Sequence, residues 1–236
     1  MLRRLSLLAG LLGTALLIVI VAVAVSTHDA NEATKAPTTA AAPGRDVTKI
    51  LRGIPQDGLR LGRPDAPILL VEFADLQCPY CKEFAATSWP DIVQKYIRTG
   101  KVRMELRLIN VLGEDSVKAN KAIMAAALQN RMWDASMRFY DVQGQEQTGY
   151  VTDRFLRDVL GGVTGLDVRR AMRERTSARV RDELAAVHSM QSRYAVDSTP
   201  TVMIGSDAND LELVSDGVPS TEQLSAAINK QLLKTI

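Results

Sequence analysis

Thiol and imidazole are scarce in this chain: its 236 residues include two cysteines and two histidines. A structural zinc site takes about four such ligands, and His28 and His188 stand far from the cysteines in sequence. Zinc is therefore a poor reading of the pair. An excess of one charge is lacking as well. Lys and Arg total 29 against 27 Asp and Glu, a formal net charge of +2, with the signs interspersed. That balance leaves no electrostatic footprint for nucleic acid or an acidic ligand. A disulfide framework is also missing, since the only cysteines are Cys78 and Cys81. A bridge across a two-residue spacer closes almost no loop and removes little entropy from the unfolded chain. The pair makes more sense as chemistry than as a staple.

Residues 5–25 form an uncharged, predominantly apolar run behind Arg3 and Arg4. Its length suits the ~20 residues that cross a bilayer as a helix and exceeds the ~7–15 of a signal-peptide core. The arginines would stay on the cytoplasmic side and leave the rest of the chain outside. Ala24-Val25-Ser26 is a small-x-small pattern that also allows cleavage. Residues 1–26 are therefore read as a signal-anchor or signal peptide, giving a single-pass membrane protein with the folded part outside or, after cleavage, a secreted one. Residues 27–49, rich in Ala, Thr and Pro, read as a disordered linker with an r.m.s. span of roughly 25 Å. Residues 50–236 are long enough for one domain with a core of its own.

Within that domain, residues 59–61 suggest a short first strand. Residues 68–73 are apolar on both alternating faces except at Glu72, as in a central strand covered on both sides. A helix follows with Pro79 in its first turn, where a missing N–H costs nothing. Pro90 must interrupt or restart it, and Gly100 caps its continuation over 91–98. Residues 102–109 alternate as a second strand. Helical patterns then cover 116–129, 133–140, 152–160 and 167–194. Residues 201–204 and 211–214 read as a hairpin, and Ser220 with Gln223 as a capping box for a last helix. The order strand, helix, strand, helical block, strand, strand, helix suits an α/β thioredoxin core with a helical insertion at about 113–195.

Disulfide exchange needs a thiolate that attacks sulfur in line and a neighbouring thiol that resolves the mixed disulfide. At a helix N-terminus Cys78 would be exposed, with a pKa lowered by the helix dipole and free N–H groups. Cys81, one turn in, would be buried. Glu72 is either an edge residue facing water or a buried carboxyl with a raised pKa that exchanges a proton with Cys81. Thr199-Pro200 precedes another short apolar strand, and spacing alone gives no reason for a cis bond there.

Residues 70–81, LVEFADLQCPYC, together with Trp133 and residues 198–201, STPT, resemble the DsbA-like branch of the thioredoxin superfamily in its membrane-associated bacterial form. The resemblance extends from about residue 61 to the C-terminus. It implies that Cys78 is the nucleophile, Cys81 the resolving thiol and Glu72 the buried proton relay. It also implies that Pro200 is cis and packs, with Thr199, against the dithiol. The best-known oxidases of the branch carry His where this chain has Tyr80. A tyrosine donates to a thiolate weakly if at all, so the disulfide should be less oxidising than in the strongest members. Thr199 also occurs in isomerase-type relatives and does not set the direction of exchange.

The arginines between Arg169 and Arg181 alternate with Glu174, Asp182 and Glu183 and read as a solvated helix face. Met132, Trp133, Met137 and Phe139 read as helical core, and His188 as a surface residue without a partner. The expected activity is a monomeric extracytoplasmic thiol:disulfide oxidoreductase that gives disulfides to exported proteins. It would carry no cofactor beyond the Cys78–Cys81 pair and be reoxidised by a membrane partner of the DsbB or vitamin K epoxide reductase type. A reductase or isomerase, or a tethered binding or chaperone module with a structural disulfide, stands as the alternative.

Overall fold

The computed structural model describes residues 47–234, so the expected anchor at 1–26 and nearly all of the 27–49 linker lie outside the described residues. No helix among the described residues is long and apolar enough to cross a membrane. The chain enters through a short helix, α1 (Val47–Leu51). Strands β1 (Gln56–Asp57), β2 (Arg60–Leu61), β3 (Ile68–Ala74), β4 (Val102–Leu108), β5 (Thr201–Gly205) and β6 (Leu211–Ser215) form one six-stranded sheet in the order β1-β2-β4-β3-β5-β6. Strand β3 pairs parallel with β4 and antiparallel with β5. It is buried along its whole length, as its near-continuous apolar sequence requires.

After β3 come α2 (Pro79–Ala86) and α3 (Trp89–Ile92), the latter running into a π-helical turn at Val93–Ile97. The restart places Pro90 in the first turn of α3, where its absent N–H leaves no bond unmade. The connection from β4 to β5 holds α4 (Glu114–Ala127), α5 (Met132–Asp141), α6 (Asp153–Gly161), α7 (Val168–Glu174) and α8 (Ala178–Arg193). The helix expected over 167–194 is in fact these last two. Ser177 breaks it: its Oγ accepts the Val180 N–H at 3.2 Å and starts α8 afresh. The final helix, α9 (Thr221–Leu233), starts at Ser220, whose Oγ accepts the Gln223 N–H at 3.1 Å. Only half of the expected capping box forms: the Gln223 side chain accepts no bond from the Ser220 N–H, and its amide donates to the Val214 carbonyl at 2.9 Å.

Core and insertion share one interior. Trp89 of α3 stacks on Trp133 of α5 with ring centroids 5.9 Å apart and planes 11° from parallel. The Trp133 Nε1–H donates to the Leu59 carbonyl at 3.0 Å beside β2. Met132, Trp133, Met137 and Phe139 are all buried, as helical core positions should be. Arg169, Arg170, Arg173, Arg179 and Arg181 are exposed, with ion pairs such as Arg170–Glu174 at 3.0 Å. His188 is exposed but does have a neighbour, the Asn110 amide, 3.3 Å from its Nε2.

Candidate functional site

The parallel strand β3 delivers the chain to a tight turn, residues 75–78, and directly into α2. Cys78 is the N-cap residue of α2, extended at φ −70° and ψ 121°, with Pro79 next in the first turn. Its N–H donates to the Asp75 carbonyl at 3.0 Å, and its own carbonyl accepts from Lys82 N at 3.2 Å. Cys78 is 4% exposed rather than open to solvent, because the Thr199-Pro200 segment ahead of β5 covers it. The Cys78 Sγ–H donates to the Thr199 carbonyl at 3.3 Å across 121 residues of sequence. The Thr199–Pro200 peptide is cis, and Pro200 is buried. Cys81 is fully buried one turn into α2. Tyr80, between the cysteines, is 61% exposed.

Glu72 sits in the middle of β3, opposite Leu106 on one neighbour and Val202 on the other. It is 2% exposed in a central strand, which disposes of the edge-residue reading. Burial, and secondarily the charge of Cys78, pushes its carboxyl up to about 8. The two sulfurs are driven apart. The hydrogen bond from Cys81 draws Cys78 down to about 6, assisted by Thr199 and by the N–H groups of Cys81 and Tyr80, against the opposing pull of burial. The Thr199 carbonyl favours the thiol form, but the donors outweigh it. Burial pushes Cys81 well above the usual thiol range, and its hydrogen bond to Cys78 and the Glu72 carboxyl add to the rise.

A set of polar groups that the sequence did not single out holds this turn in place. The Asp75 carboxylate is fully buried. It accepts from Gln77 N at 2.8 Å, Ser116 Oγ at 2.6 Å, Val111 N at 2.9 Å and Leu112 N at 3.0 Å. The Gln77 amide donates to the Leu112 carbonyl and Ser116 Oγ, each at 2.8 Å, and its oxygen accepts from Gln147 N at 2.8 Å. Gln143, in the loop after α5, donates to the Leu76 and Cys78 carbonyls at 2.8 and 3.1 Å. The insertion thus grips the backbone of Cys78 itself. Two polar residues in the apolar approach to a CxxC, Asp75 and Gln77, were a visible signal. Gln143 and Gln147 carried none, since only the fold brings them near. The Tyr140 hydroxyl is also buried close by and makes no hydrogen bond among the described residues.

Among the described residues no cluster of His, Cys, Asp and Glu could hold a metal ion. A cavity of about 270 Å³ beside Arg60, Glu105 and Arg107 includes none of the residues around the cysteines.

Comparison with known proteins agrees with this geometry. The family model described as thioredoxin matches residues 55–230. The chain is 26% identical over 179 residues to the probable disulfide bond formation protein D of Bacillus anthracis, covering 74% of this chain and 78% of that protein. It is 27% identical over 180 residues to the protein of that name in Bacillus cereus, with the same coverage of 74% and 78%. Oxidised BdbD of Bacillus subtilis superposes with a TM-score of 0.66 at 22% identity, covering 76% of this chain and 97% of that one.

Proposed function

The chain belongs to the thioredoxin family and is a protein thiol:disulfide oxidoreductase, and from that premise we propose that it works outside the cytoplasm as an oxidase, donating a Cys78–Cys81 disulfide to exported proteins. The observation that carries the direction is the opposed displacement of the two thiols, Cys78 down to about 6 and Cys81 well up. A dithiol whose leading sulfur rests as a stabilised thiolate favours the reduced form, so its disulfide readily takes electrons from another thiol.

In this reading a substrate thiolate attacks Cys78 Sγ. A substrate–Cys78 bond forms as the Cys78–Cys81 bond breaks, and the electron pair leaves on Cys81. Glu72, protonated at neutral pH because burial raises its pKa to about 8, supplies the proton that quenches the Cys81 thiolate. A second substrate thiolate then attacks the substrate sulfur of the mixed disulfide and displaces Cys78 as its thiolate. Two substrate thiols become a disulfide, and the enzyme keeps the two electrons. Thr199 and Pro200 line the approach to Cys78, Pro79 sets the helix start beneath it, and Tyr80 meets the incoming chain. The cysteine pair serves as the whole redox centre, without a bound cofactor. A membrane partner of the DsbB or vitamin K epoxide reductase type would take the electrons and restore the disulfide. The uncharged run at residues 5–25, behind Arg3 and Arg4, supports the extracytoplasmic placement.

Equilibration of the full chain in glutathione buffers tests the direction. The expected potential lies between about −120 and −200 mV. A value near about −270 mV would make it a reductase, and a bridge closed below about −300 mV would make it structural. Cys81→Ser should accumulate mixed disulfides on Cys78, and Cys78→Ser should not.

A further inference from the structure

A cavity of about 220 Å³ opens beside the Thr199-Pro200 segment, between the end of α8 and strands β5 and β6. Ser198 and Thr201, two of its lining residues, bracket the pair that touches Cys78. Its floor is apolar. Met203 and Leu213 are register partners across β5 and β6 and so share one face of the sheet, and Val196 also lines the cavity. Met203 and Val196 are buried, whereas Leu213 on the edge strand is 58% exposed. Its rim is acidic. Asp197 and Asp216 both line the cavity and both are exposed. Neither carboxylate is given an ion pair or hydrogen bond by the described residues, and no Lys or Arg lines the cavity. Arg193, nearby in sequence, is engaged with Asn209 Oδ1 at 2.8 Å.

An apolar floor under an unneutralised acidic rim matches a long aliphatic stem that ends in a cation, the shape of a lysine or arginine side chain. The volume is below that of a site for a drug-sized ligand and suits a single side chain. Its lining residues Ser198 and Thr201 flank Thr199, whose carbonyl meets Cys78, so the cavity lies next to where a polypeptide joined to Cys78 would run. We propose that this cavity is a specificity subsite for the substrate polypeptide, selecting proteins with Lys or Arg within a few residues of the reacting cysteine. The proposal rests on thiol exchange at Cys78 and adds to it a class of preferred substrate.

The test is oxidation of short cysteine peptides by the full chain in its disulfide form, followed by stopped-flow tryptophan fluorescence or thiol titration. Peptides carry Arg, Lys, Ala or Glu at each position beside the cysteine, at low and high salt. The Arg and Lys peptides should react about fivefold faster than Ala, and Glu slower, since exposed ion pairs each supply up to about 1 kcal/mol. Asp197→Asn/Asp216→Asn should erase this ranking without changing the Ala rate, and added salt should shrink it in the wild type alone. Equal rates for all peptides, or a ranking that survives in the double variant, would overturn the subsite and leave the exchange activity standing. Failure to oxidise even the Ala peptide would overturn both.

Discussion

A carboxyl in the centre of a sheet is expensive unless it stays protonated, and Glu72 is such a group. Its folded pKa of about 8 stands above the ordinary 4.5. The buried carboxyl therefore weakens the fold progressively as pH rises from the lower value to the higher. Below 4.5 the folded and unfolded forms are both protonated and nothing is lost. In the reduced protein Glu72→Gln should remove this dependence. Relative to wild type it should gain on the order of 1.4 kcal/mol for each pH unit crossed in that window. Urea unfolding at pH 5 and pH 8 measures it, and parallel curves for the two proteins would contradict the buried-acid assignment.

At the scale of single elements, the turn between β3 and α2 is held from outside itself. The buried Asp75 side-chain oxygens accept main-chain N–H groups of the segment after β4, and Gln143 donates to the carbonyl of Cys78 from the loop after α5. Removing the Gln143 amide leaves the Leu76 carbonyl without its donor and the Cys78 carbonyl with the Lys82 N–H alone. Gln143→Ala should cost about 1–2 kcal/mol in chemical denaturation. It should also alter the pH profile of Cys78 alkylation, a readout that loss of stability alone would not move. Helix breaks follow local chemistry as well. Ser177 divides what apolar spacing had joined, because a side-chain oxygen able to cap free N–H groups competes with continuation of the helix.

For the molecule as a whole, the insertion is no appendage. Trp89 against Trp133, and the bonds from Gln143 and Gln147 to residues 76–78, make insertion and core parts of one interior. They should unfold together. Tryptophan fluorescence, far-ultraviolet circular dichroism and Cys78 accessibility are expected to give coincident denaturation curves. An earlier transition in the helical signal would show the insertion melting alone.

The residue order alone was enough for the fold class, the strand carrying Glu72, the helix start at Pro79 and the cysteine spacing, because apolar period, proline geometry and a two-residue spacer act over short distances. It left Glu72 between water and the core, since burial depends on which strands flank β3. It placed Cys78 in the open, whereas a segment 121 residues away covers it. It carried no signal for Gln143 or Gln147. Those points were decided by tertiary structure, for one physical reason. Burial, the acidities that follow from it and hydrogen bonds between distant segments are properties of neighbours in space, and only the packed sheet and insertion supply those neighbours.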